Sequence, residues 1–211
     1  METLTLKEKA YQELKGLILT GELKAGEFLT ERLLVEKLEM SRTPIRSALE
    51  KLEVEGFVRQ SPKQGIMVES MSIEKAINIY DLRSALESYV VKQLAEREID
   101  KDEKARIKQI LEQQKLYMEQ DDFYNFSIKD FEFHRALAEI YDNKEIIHIL
   151  DQIGDKLRFI AITVMKKKKT RINIAYEEHL LIVDHIFAGN GEKAASELTE
   201  HFVKGKLILI S

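Results

Sequence analysis

The segment 30–56, TERLLVEKLEMSRTPIRSALEKLEVEG, decides the fold of the first part of this chain. Thr30 has the hydroxyl of a helix N-cap, and Glu31 suits the positive start of the helix that follows. Leu33, Leu34, Leu38 and Val35 give that short helix an apolar side. Residues 39–41 leave room only for a tight connection. The next helix is expected to start at Thr43-Pro44, with proline at the first helical position, where its missing N–H costs nothing. Ile45, Ala48, Leu49 and Leu52 then recur at i, i+3, i+4 and i+7, one buried stripe, and Gly56 ends it. Working outward, Tyr11, Leu14, Leu17 and Ile18 space a preceding helix that Gly21 terminates, and a turn runs on to Gly26. On the far side, 57–60 and 66–68 read as two short strands joined by Ser61-Pro62-Lys63-Gln64-Gly65. Helix, helix, turn, helix, hairpin is the order of a winged helix-turn-helix.

The donors sit where such a fold needs them. A recognition helix enters the major groove by its N-terminal turn. An arginine there can fork onto guanine O6 and N7, while hydroxyls and backbone N–H groups hold phosphates. Arg42, Thr43 and Arg46 lie at the helix start, off the apolar stripe. Arg32 lies in the first turn of the preceding helix, within reach of a phosphate or a base edge. The wing turn adds Lys63, Gln64 and Gly65, whose missing side chain allows close backbone approach to DNA. On these residues, ELKAGEFLTERLLVEKLEMSRTPIRSALEKLEVEGFV followed by PKQG, residues 6–69 resemble the N-terminal domain of GntR-superfamily bacterial transcription regulators. The resemblance implies that Arg32, Arg42, Thr43, Arg46 and Gly65 contact operator DNA.

Punctuation changes near residue 70. Both prolines and five of the nine glycines lie at or before Gly65, and the next glycine is Gly154. The reading is therefore two domains: 1–70, a winged helix-turn-helix, and 71–211, an all-α bundle. Six helices are expected in the bundle, near 73–97, 101–120, 122–140, 144–166, 171–188 and 191–209, with Ser72 and Asp121 as caps. The fold class is mainly α.

All five histidines fall in the second region. Asp130 and His134 are four apart, which puts a carboxylate and an imidazole on one helix face. His179 and His201 lie on two later helices. A bundle core gathering these four makes a site of three nitrogens and one oxygen, suited to Zn, Ni, Mn or Fe, with room for a ligand carboxylate. His148 and His185 are out of step with this set. Arg83 lies one turn before Glu87 on a helix that reads as buried, so it needs an anionic partner, either Glu87 or a ligand. Arg158 is a second candidate for the same pocket. Residues 73–205 resemble the helical FCD ligand-binding domain of the FadR branch, through YDLRSALE at 80–87, Asp130-x-x-x-His134, the stretch from Arg171 to Glu178-His179, and Glu200-His201. The resemblance implies that Asp130, His134, His179 and His201 bind a divalent metal beside the effector, and that Arg83 helps hold the effector's carboxylate.

Composition narrows the function. The 211 residues include no cysteine, which excludes disulfides, thiolate metal sites and a cysteine nucleophile. No apolar run approaches the roughly 20 residues of a membrane span, and METLTLKEKA lacks a signal core, so a cytoplasmic location is expected. There is no phosphate-binding glycine loop, nucleophile elbow or His-Glu-x-x-His, so no enzyme is expected. A metalloenzyme of the helical domain and a purely structural histidine cluster are the rival readings. The net charge of −4 disfavours DNA at first sight. Yet residues 41–63 hold five basic against three acidic side chains, so the positive charge is placed at the helix start and the wing. The expected function is a regulator, a repressor by default, acting as a homodimer on double-stranded operator DNA. A small carboxylate metabolite would change its affinity.

Overall fold

The computed structural model describes residues 4–61 and 65–211. Pro62, Lys63 and Gln64, the tip of the expected wing, lie outside them. The chain forms two compact units, the first ending at Met71 and the second beginning at Ser72.

In the first unit, α1 (Leu6–Thr20), α2 (Glu31–Leu38) and α3 (Arg42–Val54) pack beside a small sheet of β1 (Phe28–Leu29), β2 (Val58–Ser61) and β3 (Gly65–Val68). The sheet order is β1-β3-β2, all antiparallel, with Val58 opposite Val68 and Leu29 opposite Ile66. Gly21 ends α1 in the left-handed conformation, and the Thr30 hydroxyl accepts from the Leu33 N–H to cap α2. The stripe Ile45, Ala48, Leu49 and Leu52 is buried against α1.

Four local expectations shift. Helix α3 is capped by Ser41 and starts at Arg42, so Pro44 is its third residue. The first four N–H groups of a helix have no intrahelical partner, so proline is as harmless there as at the first position. Leu33 is 44% exposed, and only Leu34 of α2 is buried. The two-residue strand β1 was not foreseen: Leu29 is buried but Phe28 is exposed, a segment too short to alternate. In the second unit the helix expected at 122 is capped by Asp122, because Asp121 takes a left-handed turn conformation.

The second unit holds six helices among the described residues: α4 (Ile73–Ala95), α5 (Lys101–Glu119), α6 (Phe123–Tyr141), α7 (Lys144–Lys167), α8 (Arg171–Phe187) and α9 (Gly191–Ile210). Helix α4 packs along α9, α6 lies between α5 and α7, and α8 lies against α9 and α5. Helices α4 to α7 each start from a side chain that caps them, Ser72, Asp100, Asp122 and Asn143. Asp100 and Glu103 form a reciprocal capping box at α5. Close approach of α4 and α9 depends on Gly205, where a Cβ would meet the Tyr80 hydroxyl at 2.4 Å. None of the described helices is long and apolar enough to cross a membrane.

Candidate functional site

Polar residues occupy the middle of otherwise apolar stripes. On α6 the buried set includes Phe126, Ser127, Asp130, Phe133, His134 and Leu137; on α8 it includes Arg171, Glu178 and His179; on α9 it includes His201. Helical spacing therefore aims one carboxylate and three imidazoles at a common point. One ligand atom from each of Asp130, His134, His179 and His201 lies within 4.8 Å of all the others. His179 Nε2 is 3.6 Å and His134 Nε2 4.0 Å from Asp130 Oδ1.

The opposite ring nitrogens are held from behind. His179 Nδ1 is 2.8 Å from Gln114 Oε1, and Gln114 Nε2 donates to the Lys129 carbonyl at 3.0 Å, which fixes the amide's orientation. His201 Nδ1 is 2.7 Å from Glu178 Oε2, and Glu87 Oε2 lies 2.6 Å from His134 Nδ1. A carboxylate or amide oxygen only accepts, so neutral His179 and His201 carry the proton on Nδ1 and leave Nε2 bare, whereas His134 Nδ1 lies beside Glu87 without a hydrogen bond to it. Arg171 Nη2 donates to the His201 carbonyl at 3.0 Å and also lies 3.1 Å from His201 Nδ1, where the shorter contact to the Glu178 carboxylate favours the proton on that nitrogen. The Nε2 atoms of His134 and His179 are buried without a hydrogen-bond partner. Phe133 stacks on His179 with ring centroids 4.5 Å apart and steadies its plane.

Electrostatics match this arrangement. Burial pushes His179 well below the usual histidine pKa, reinforced by the charges of His201 and His134. Burial also takes His201 to about 4, against the opposing effect of its hydrogen bond to Glu178. Both rings are then neutral at pH 7, the state that ligates a metal. Burial alone would raise Glu87, but Arg83 and His134 hold its pKa below the ordinary carboxylate value. Glu178 likewise is held at about 2, because His201, Arg171 and Lys204 outweigh its desolvation. The buried carboxylates Glu87, Asp130 and Glu178 are faced by Arg83, Arg171 and Lys204. The three nitrogens and one oxygen of the cluster fit a divalent transition metal.

Beside the cluster is a cavity of about 30 Å³, with Asp130, His201, Arg83, Arg171 and Tyr80 on its polar side and Leu157, Ile160 and Val164 of α7 opposite. Arg83 donates from Nε to Glu87 Oε1 at 2.5 Å, and its Nη2 is 3.8 Å from Asp130 Oδ2 without a hydrogen bond. Of the two alternatives for Arg83, the Glu87 pair is made, and one edge of the guanidinium still faces the cavity. Arg158 is not on that wall. It is 3.5 Å from Asp155 and lies over the Tyr124 ring. Arg171 occupies the cavity wall instead. His148 is exposed and bonds Gln152, outside the cluster.

Sequence reasoning missed the supporting groups. Gln114 had a signal: Ile107, Ile110, Leu111 and Gln114 form one buried stripe at i, i+3, i+4 and i+7, and a polar residue in such a stripe has a partner to satisfy.

In the first unit Arg32, Arg42, Thr43 and Arg46 are all exposed at the starts of α2 and α3. Arg46 Nε donates to Glu31 Oε1 at 2.8 Å. That hydrogen bond is the main cause of a lowered Glu31 pKa. Arg32 Nε donates to Glu36 Oε1 at 2.8 Å. Gly65 has φ 94°, and a Cβ there would lie 2.7 Å from the Leu29 carbonyl, so glycine is required by the β1–β3 pairing itself.

Known proteins bear on both units. The model for bacterial regulatory proteins of the gntR family matches residues 6–68, and that for the FCD domain matches 78–204. HTH-type transcriptional regulator YdhC of Bacillus subtilis is 27% identical over 91% of this chain and 85% of its own length. The gluconate operon transcriptional repressor of the same organism is 28% identical over 82% of this chain and 69% of its own. A GntR protein from Rhodococcus sp. RHA1 shares the fold, with a TM-score of 0.78 at 19% identity, over 97% of both chains.

Proposed function

Because the chain belongs to the gntR family of bacterial regulatory proteins and carries an FCD domain, it is a transcriptional regulator and not an enzyme, and we propose that a metal-bound carboxylate controls its grip on operator DNA. The observation that carries this is the convergence of Asp130, His134, His179 and His201, with two buried bare Nε2 atoms and an open edge of Arg83 beside them. These four residues would hold a divalent transition metal, which when bound supplies a Lewis-acid anchor for a carboxylate. The chain's own residues do the rest. Gln114, Glu178 and Glu87 orient the imidazoles, Arg83 offers a second contact to the carboxylate, and α7 closes the cavity against water. The small cavity suits a metabolite of few atoms.

On the DNA side, Arg42, Thr43 and Arg46 read the major groove, Arg32 and Gly65 meet the backbone or a base edge, and a homodimer presents two such helices to a near-palindromic site. A cytoplasmic repressor relieved by its effector is the form we favour, supported by the repressor among its relatives. Effector binding changes operator affinity only through its different affinity for the two arrangements of the dimer.

The test is elemental analysis of the protein as purified and of Asp130→Ala. The reading expects about one transition metal per chain in the first and loss of it in the second; absence of metal in both, even after reconstitution, overturns it. A structural centre is the second reading, favoured by the cavity's small volume of about 30 Å³. It expects metal removal to lower the melting temperature without changing any ligand response.

A further inference from the structure

A second cavity lies on the same helical unit and is far larger, about 450 Å³, within the range of small-molecule sites. It is bounded by Lys167, Lys168 and Arg171 at the junction of α7 and α8, and by Lys204 of α9. Ile174, Leu207 and Ile208 form its apolar floor. Four cations thus line one space together with Ser211, and among the described side chains Glu178 is the carboxylate in contact with two of them, 2.8 Å from Lys204 and 2.6 Å from Arg171. Lys167 is turned onto the Ile208 and Leu209 carbonyls, at 3.4 and 2.9 Å, which holds the wall together. Lys168 is exposed and pairs with no carboxylate among the described residues.

Cations gathered around a concavity repel one another unless an anion joins them. One carboxylate against four cations leaves room for more than one negative charge. The apolar floor favours an organic body over a bare ion, and a concave site of this size suits a small molecule better than the convex rod of a duplex. We propose that this basic cleft binds a doubly charged organic anion, a phosphomonoester or a dicarboxylate, at a site other than the Asp130–His201 cavity, with Arg171 on the wall of both. Lys168 and Lys204 supply the charge, and Ile174, Leu207 and Ile208 seat the carbon skeleton. The proposal stands independently of the metal reading.

The experiment is calorimetric titration of the full chain at low salt with phenyl phosphate, succinate and acetate, before and after EDTA treatment. Saturable binding of either dianion, weaker binding of acetate, and persistence after EDTA are expected; phenyl phosphate and succinate together tell which class fits. Lys168→Glu should weaken the dianion about tenfold or more while Lys168→Arg keeps it, both with unchanged circular dichroism. Binding of acetate as tight as that of both dianions overturns the proposal. So does loss of binding on EDTA treatment, which would put the anion in the inner cavity, or a Lys168→Glu protein that binds as before. A non-specific DNA duplex that binds through Lys168 and displaces phenyl phosphate would replace the small-molecule site with a DNA contact.

Discussion

Arg32–Glu36 and Arg83–Glu87 are the same pair in sequence, an arginine four residues before a glutamate on one helix, with Nε to Oε1 distances of 2.8 and 2.5 Å. Their surroundings have nothing in common. The first pair's side chains are 84% and 64% exposed, the second's 4% and 3%. In water, the Coulomb gain of such a pair is nearly cancelled by screening and side-chain entropy. In the core, both ions have lost their hydration, and each is tolerable only because the other is there. The exposed arginine is therefore free to exchange its glutamate for a phosphate. The buried one is part of the site's architecture, with one edge left over for a ligand.

The sharpest test of that contrast removes the buried partner. Arg83→Leu strands Glu87 beside His134, and the unfolding free energy in urea should fall by about 3–5 kcal/mol. Adding Glu87→Leu should recover part of it, because the stranded carboxylate goes with its partner while Asp130 still lacks the guanidinium 3.8 Å away. A loss below about 1 kcal/mol in the single variant would mean that the interior is wetter than the burial of this pair indicates.

Next in size is an effect on DNA alone. Arg46→Ala removes an exposed group from α3, so the melting temperature should stay constant. In a dimer the contact is lost in both half-sites, and at about 1–3 kcal/mol per bidentate base contact, operator affinity should drop on the order of a hundredfold or more. Fluorescence anisotropy on operator and scrambled duplexes measures it. An equal loss on both duplexes would make Arg46 a phosphate contact instead of a reader of bases.

The two regions were also unequally legible in the sequence. The recognition face is local: Arg42, Thr43 and Arg46 lie within five residues, and the stripe Ile45, Ala48, Leu49 and Leu52 says which way they point. The shift of Pro44 from the first helical position to the third changed nothing, since any of the first three helical positions accepts proline. The buried site is non-local. Asp130 and His134 share a helix, but His179 and His201 come from two others; the sequence offered their gathering as something a bundle core could do, and the family resemblance implied that it does. Arg158 shows the limit: a cation near the right place in sequence, but turned to Asp155 and Tyr124. Arg171 reaches the cavity from the first turn of α8. Strand β1 was invisible because two residues carry no period.

Gln114 gives the third prediction, a test of whether the buried set works as a unit. Gln114→Leu keeps the volume of the side chain but gives the His179 Nδ1 proton no acceptor, so the ring can present its other tautomer. Loss of such a supporting partner weakens metal binding by about 10- to 100-fold, read by competition with a chelator of known affinity. Gln114→Glu, which still accepts that proton, should retain more affinity than Gln114→Leu. If both variants bind alike, Gln114 only fills space.

Arg32 returns the comparison to the exposed pair, where the smallest effect is expected. Arg32→Gln should change the unfolding free energy by less than about 0.5 kcal/mol, because an exposed i, i+4 pair contributes no more than that. Its effect on DNA depends on what Arg32 touches. If it meets a phosphate, the variant binds all sequences more weakly, and the slope of log affinity against log salt becomes shallower by about one per protomer. If it reaches a base, the slope holds and discrimination falls at one position of each half-site. Glu36→Gln separates the arginine's two partners: it frees Arg32 without removing it, so DNA affinity should rise slightly at low salt and converge with the parent protein as salt screens the pair. A fall in affinity would mean that Glu36 aims Arg32 at the DNA, and that the exposed pair, like the buried one, positions a charge.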